Sequence, residues 1–192
     1  MGGLDFVHRF VPGKAPDARV FLLLHGTGGD EADLLSLDRE LEPDATLLSP
    51  RGKVSENGAS RFFRRFAEGV FDEVDIVQRS NELADFIIVT AVGYSNGANS
   101  AAAMMVLRSE VLPAAILFQA MVVLANPPRA DLRGKRVFVS AGRVDRIIPL
   151  ENAQRLAIFL KDAGAEVKLE IQETGHGLVH ADVAAAQGWL SP

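Results

Sequence analysis

The chain has no cysteine. No disulfide is possible, no thiolate nucleophile is present, and a cytoplasmic location is expected of a protein without Cys. Apolar runs of membrane-spanning length are also missing. The best candidates break at Gly, Asn or Pro within about a dozen residues. The N-terminal Met1-Gly2-Gly3-Leu4-Asp5-Phe6 has no basic region followed by an apolar core, so a secretory signal is not expected. A myristoylation site would need Ser or Thr where Phe6 stands. Excess positive charge is lacking too. The net charge of −5 argues against a nucleic-acid binder that works through bulk charge. There is no internal repeat, low-complexity tract or linker, and residues 1–192 read as one domain. A chain of this size buries roughly 70% of the surface that its unfolded form exposes.

What is present centres on Ile87-Ile88-Val89-Thr90-Ala91-Val92-Gly93-Tyr94-Ser95-Asn96-Gly97-Ala98-Asn99-Ser100-Ala101-Ala102-Ala103. A β-branched run passes through Gly-x-Ser-x-Gly into an Ala-rich segment. Strand, sharp turn and helix, with a serine on the turn, is the context of a nucleophile elbow. Gly93 and Gly97 fall where strand and helix crowd each other. Ser95 is expected in a strained conformation fixed by its surroundings.

The rest of the chain alternates strand and helix. Phe6 to Val11 reads as a short strand before Pro12-Gly13. Val20 to Leu24 is a continuous apolar run suited to a strand covered on both faces. It ends in the Gly-rich loop His25-Gly26-Thr27-Gly28-Gly29-Asp30. Asp30 is placed to cap a following helix with Leu34, Leu35, Leu37 and Leu41 on its apolar face. Ala45 to Ser49 reads as the next strand. Pro50 to Glu73 is irregular, and a loop of that length is functional or hides a short element. Helical spacing runs from about Asp72 to Asp85, with Val74, Ile76, Val77, Leu83 and Phe86 apolar. Further strands are read at Ala114–Phe118, Arg136–Ala141 and Val167–Ile171. Helices are read at Glu151–Lys161 and Ala181–Leu190. This pattern gives an α/β fold with a mostly parallel sheet of six or seven strands. Ligands bind beyond the carboxyl ends of such strands, where the loops carrying Thr27, Ser95, Asp145 and His176 fall.

A serine hydroxyl needs a base, and the base needs an orienting group. His176 follows the last strand between two glycines. Asp145 follows the preceding strand. The order Ser95, Asp145, His176 is that of α/β-hydrolases. The competing histidines are His8, in an early strand; His25, which reads as a structural residue holding the Gly-rich loop; and His180. A His176/His180 metal pair has no Glu or Cys to complete a recognised pattern, so no metal and no cofactor are called for. Among rival acids, Asp131 precedes its strand, Asp162 ends a helix, and Asp182 follows His176 too closely. An oxyanion needs fixed donors, and the backbone N–H groups of Thr27 and Asn96 are the candidates. Met104-Met105 reads as core.

The motifs His25-Gly26-Thr27-Gly28-Gly29-Asp30-Glu31, Gly93-Tyr94-Ser95-Asn96-Gly97-Ala98, Gly142 to Pro149 with Asp145, and Gly175-His176-Gly177 resemble, in order and spacing, the phospholipase/carboxylesterase family of α/β-hydrolases. These are small, lidless serine esterases that include acyl-protein thioesterases. Pro50-Arg51-Gly52 and Arg61-Phe62-Phe63 resemble a bacterial subgroup associated with resistance to hydroquinone-type compounds. The resemblance covers nearly the whole chain. It implies a three-layer α/β-hydrolase fold without a lid domain, and Ser95, Asp145 and His176 as the triad. It also places the Arg51, Phe62 and Phe63 loop near the nucleophile as candidate substrate-binding residues. Arg61, Arg64 and Arg65, interleaved with Phe62, Phe63 and Phe66, read equally as a substrate wall or a solvated face.

The function expected is hydrolysis of small carboxylic esters, with thioesters as an extension, through an acyl-enzyme. With little sequence for a lid between Ala120 and Arg136, a shallow pocket is expected. The partner is a small-molecule ester, with no nucleic acid and no membrane. The sequence leaves monomer and homodimer both open. The rival readings are hydrolysis of cyclic or aromatic esters, as in dienelactone hydrolases, which use the Cys that this chain lacks, and a non-catalytic relative that kept the fold.

Overall fold

The computed structural model describes residues 6–15, 18–85 and 90–190. Met1 to Asp5, Phe86 and the Ile87–Val89 start of the expected central strand lie outside the described residues. The elements in chain order begin with β1 (His8–Val11), β2 (Val20–Leu24), α1 (Leu37–Leu41) and β3 (Thr46–Pro50). Two small hairpins follow, β4 (Val54–Glu56) with β5 (Ala59–Arg61), and β6 (Arg65–Ala67) with β7 (Val70–Phe71). Next come α2 (Glu73–Ala84), β8 (Thr90–Tyr94), α3 (Asn96–Leu107) and β9 (Ala114–Phe118). The chain closes with β10 (Arg136–Gly142), α4 (Leu150–Asp162), β11 (Glu166–Gln172) and α5 (His180–Leu190).

Seven strands form the central sheet in the order β1-β3-β2-β8-β9-β10-β11. Every pairing is parallel except β1 with β3. The apolar run of β2 is explained by its two covered faces. Leu22 and Leu24 pack in the layer with α2, α3 and α4, while Phe21 and Leu23 pack in the layer with α1 and α5. All four side chains are fully buried, and each such burial contributes roughly 1.5–3 kcal/mol relative to exposure. The result is a three-layer α/β-hydrolase architecture. Among the described residues, no helix is long and apolar enough to cross a membrane.

Two local expectations change. The helix after Asp30 is short, with irregular turns before Leu37. The Asp30 carboxylate accepts the Ala32 N–H at 2.7 Å, and such a local bond offers the backbone an alternative to the helix. The irregular stretch after Pro50 is two hairpins. Asn57 (φ 52°) and Gly58 (φ +84°) turn the first, as the Asn-Gly pair of a two-residue hairpin requires.

The strand order reverses beside β2. From there the chain runs to β3 on one side and resumes at β8 on the other. The loops leaving β2 and β8 therefore start side by side at the switch point, where open α/β sheets hold ligands. They carry Thr27 and Ser95.

Candidate active site

Ser95 sits between β8 and α3 at φ 51°, ψ −114°. A non-glycine residue in this region costs on the order of 1–3 kcal/mol. Two bonds hold it there: the Ser95 N–H donates to the Phe118 carbonyl, and the Ser95 carbonyl accepts the Asn99 N–H, both at 2.9 Å. A Cβ at Gly93 would lie 2.6 Å from the Ala98 nitrogen, so strand and helix meet here only over glycine.

His176 follows β11, and its ring reaches both other residues. Nε2 lies 2.9 Å from Ser95 Oγ, and Nδ1 lies 2.7 Å from Asp145 Oδ2. An ionised carboxylate only accepts, so Nδ1–H donates to Asp145 and Nε2 is left to accept the serine proton. The other Asp145 oxygen accepts the N–H groups of Ile147 (2.7 Å) and Ile148 (2.9 Å). The carboxylate, almost wholly buried, thus has its rotation fixed from both sides. The Asp145 and His176 loops pack backbone to backbone, because a Cβ at Gly142 would overlap the Gly175 carbonyl.

The rival residues stand elsewhere. Asp131 is exposed and pairs with Arg133, which holds its carboxyl down to about 2. Asp182 is fully buried in α5, where it accepts the Ser140 hydroxyl and the Val179 N–H. His25 is buried and bonded at both nitrogens. Nε2 accepts the Gly52 N–H at 3.0 Å, so Nδ1–H donates to the Gly26 carbonyl at 2.6 Å. Burial pushes its pKa below the ordinary 6.5. The ring ties the β2 loop to the segment after β3.

That loop is braced by the first hairpin. Gly28 N–H donates to the Ser60 carbonyl at 2.9 Å, and Arg61 Nη1 donates to Thr27 Oγ1 at 2.7 Å. Asn96 Oδ1 accepts the Phe62 N–H at 2.7 Å. Among the described residues, no hydrogen bond uses the N–H of Thr27 or of Asn96. Both remain available for an oxygen beside Ser95. The Asn96 N–H also opens a helix, where the dipole favours negative charge.

A small open cavity lies beside these groups. Its lining includes Thr27, Ser95, Asn96 and Asn99, Arg61, Arg65 and Phe71 of the hairpins, and Ile147 and Ile148 of the Asp145 loop. Arg51, Phe62 and Phe63 do not line it. Arg51 points to Glu31 in a two-toothed ion pair (2.5 and 2.9 Å). Phe62 packs on His25, with ring centroids 4.7 Å apart, and Phe63 is buried against Phe71. The aromatic pair faces the core, and it is Arg61 and Arg65 on the hairpins that turn to the cavity. Arg64 instead faces Asp72 and Asp75. The Asn57-Gly58 hairpin signal could have fixed this register in advance.

Two residues carried no sequence signal. Tyr94 donates its hydroxyl to the His176 carbonyl at 2.9 Å. Gln119, buried at φ 54°, accepts the Gly142 N–H through Oε1 at 2.9 Å and so joins the ends of β9 and β10.

No protein-family model matches the chain. It is 45% identical over 188 residues to MhqD of Bacillus subtilis (strain 168), a protein described as a hydrolase, covering 92% of this chain and 94% of that one. A Bacillus cereus carboxylesterase structure superposes with a TM-score of 0.94 at 40% identity, over 96% of this chain and 93% of the other. A Mesorhizobium loti carboxylesterase superposes with a TM-score of 0.93 at 31% identity, over 100% and 98% of the two chains.

Proposed function

The chain belongs to the phospholipase/carboxylesterase family of α/β-hydrolases and is a carboxylic ester hydrolase; from that premise we propose a serine mechanism acting on small esters through an acyl-enzyme. The observation that carries this reading is the unbroken line of hydrogen bonds from Ser95 through His176 to Asp145, at 2.9 and 2.7 Å. Ser95 Oγ attacks the acyl carbon while its proton passes to His176 Nε2. The carbonyl oxygen becomes an oxyanion and takes the N–H groups of Thr27 and Asn96. The carbon–oxygen bond to the alcohol then breaks, and His176 returns the proton to the leaving oxygen. Water repeats the sequence on the acyl-serine and releases the acid. Asp145 stays ionised and holds the imidazole in the accepting tautomer.

A thioester of the same acyl group suits the same nucleophile, since the thiolate is a good leaving group. The reading treats the chain as one α/β-hydrolase domain, and a cytoplasmic location accords with its lack of cysteine. The test is labelling by a fluorophosphonate probe, read by mass spectrometry, beside hydrolysis of p-nitrophenyl butyrate. The expected result is a single adduct on Ser95 and loss of at least about a thousandfold in kcat for Ser95→Ala. An adduct elsewhere, or equal activity in the variant, overturns it.

A further inference from the structure

The cavity beside Ser95 carries positive charge in a protein whose net charge is −5. Arg61 and Arg65 both line it. They share one carboxylate. Glu56 takes three close contacts from Arg65 (2.8, 3.0 and 3.1 Å) and sits 3.3 Å from Arg61 Nε. Of the charged side chains that line the cavity, Arg61 and Arg65 are cations and Glu68 an anion, so the lining itself carries one net positive charge, with Glu56 lying behind the arginines. Glu68, exposed on the β6–β7 turn, also borders the cavity, but it forms no ion pair with either arginine among the described residues. Arg61 is the unusual member. Its side chain is only 2% exposed, and burial together with the Arg65 charge pulls its pKa below the usual arginine value. Arginine remains charged even so. Arg61 Nε donates to the Phe63 carbonyl at 3.2 Å and its Nη1 to Thr27 Oγ1, and among the described residues no hydrogen bond uses its Nη2, which is left for a ligand.

The cavity also has a direction. Its wall includes Ser95, Asn96 and Thr27 but not His176. His176 must protonate the leaving oxygen, so the alcohol part of the ester stays on the His176 side. The substituent of the acyl carbon then faces the arginines.

We propose that Arg61 and Arg65 select esters whose acyl part ends in a carboxylate, that is, monoesters of small dicarboxylic acids. This rests on the serine-esterase reading above. Arg61 is the recognising cation, and Arg65 keeps Glu56 from neutralising it. The free N–H groups of a guanidinium match a carboxylate in geometry as well as in charge. The Arg61 contact to Thr27 places that charge next to the oxyanion loop, so an anionic acyl group is held as the carbonyl enters it.

The test compares the p-nitrophenyl monoester of adipic acid with that of adipamic acid, which replaces the distal carboxylate by a neutral amide of equal size. The quantity read is the ratio of the two kcat/KM values, in which general damage to the site cancels. The wild type is expected to favour the adipate by about tenfold, the scale of one charge-assisted hydrogen bond. Because Arg61→Gln removes a buried residue and could fail to fold, the decisive variants are at its more exposed neighbours. Arg65→Gln lets Glu56 neutralise Arg61 and lowers the ratio toward one. Glu56→Gln frees both arginines and raises it. A wild-type ratio at or below one overturns the proposal, as does a ratio that Arg65→Gln and Glu56→Gln move in the same direction or leave unchanged. If Ser95 takes the fluorophosphonate label and both esters are cleaved at one ratio throughout, this proposal alone fails. If Ser95 is not labelled and neither ester is cleaved, the esterase reading fails and takes this one with it.

Discussion

The phenol of Tyr94 donates its proton to the backbone carbonyl of His176, 82 residues further along the chain, over 2.9 Å. The two rings lie 5.6 Å apart, centroid to centroid. Tyr94 is the residue just before the strained serine, so one side chain on the elbow sets the height of the loop that brings in the base. Its hydroxyl is partly buried, and burial first, then the Asp145 and Asp182 charges, push its pKa up, so it stays a donor. Tyr94→Phe removes the donor and keeps the ring. A bond of this kind is worth about 1 kcal/mol net. The variant is expected to lose about five- to tenfold in kcat on p-nitrophenyl butyrate while KM stays within about twofold. A matching rise in KM with kcat unchanged would mean that Tyr94 shapes binding instead.

Asp145 makes a sharper prediction, because its two oxygens are occupied differently. Oδ1 accepts two backbone N–H groups, and Oδ2 faces His176 Nδ1. In Asp145→Asn the amide oxygen must stay with the two N–H groups. The amide NH₂ is then turned against Nδ1, which forces the proton onto Nε2 and points it at Ser95. The imidazole can no longer accept. Loss in kcat on the order of 10³- to 10⁴-fold is expected, with little change in thermal midpoint, since the loop bonds persist. A loss under about tenfold would remove Asp145 from the proposed mechanism.

These two residues mark what could and could not be read in advance. Asp145, His176 and Ser95 each follow a strand of the parallel sheet, and parallel-sheet topology sends the ends of such strands to one edge. The strand pattern alone therefore brings the three to one edge of the sheet. The segment after Pro50 gave no such help. Its strands are two or three residues long, too short for alternation to set a face. In so short a hairpin a one-residue slip exchanges inside for outside. Arg51, Phe62 and Phe63 lie between the strands, where no alternation reaches, and it is Arg61 and Arg65 within the hairpins that line the cavity. Tyr94 was hidden for another reason: its partner is a backbone carbonyl, which no residue type announces.

His25 ties stability to pH. Its neutral ring accepts the Gly52 N–H and donates to the Gly26 carbonyl, and burial depresses its pKa below 6.5. In the unfolded chain the ring takes up a proton near that ordinary value, whereas in the folded chain it does so only at lower pH. The unfolded state thus binds more protons between the two, and stability rises with pH across that window. The contribution is complete above about pH 6.5 and is lost as pH falls through the folded value, with a slope of at most about 1.4 kcal/mol per pH unit. Urea unfolding of wild type and His25→Gln from pH 8 to pH 5 reads the effect. The wild type is expected to lose stability more steeply below pH 6.5 than the variant. Parallel curves would show that the ring does not titrate with folding.

Gly97 shows how tightly the elbow is packed, and Gly188 supplies its control. A Cβ on Gly97 would overlap the Leu24 carbonyl and lie 2.6 Å from the His25 carbonyl oxygen. Both atoms are backbone at the end of β2, so neither can swing aside. The methyl would lift α3 from the sheet and move Ser95 relative to the Thr27 loop. Overpacking against fixed backbone costs about 1–3 kcal/mol or more, roughly 2–4 °C of thermal midpoint for each kcal/mol in a chain of this length. Gly188 lies in α5, and a Cβ there meets nothing within 4 Å. Alanine at that position gains helix propensity of about 0.5–1 kcal/mol. Gly97→Ala is therefore expected to melt lower and to lose esterase activity, while Gly188→Ala melts at or slightly above the wild type with activity intact. Equal midpoints for the two variants would mean that the β2–α3 contact gives way more easily than its backbone geometry allows.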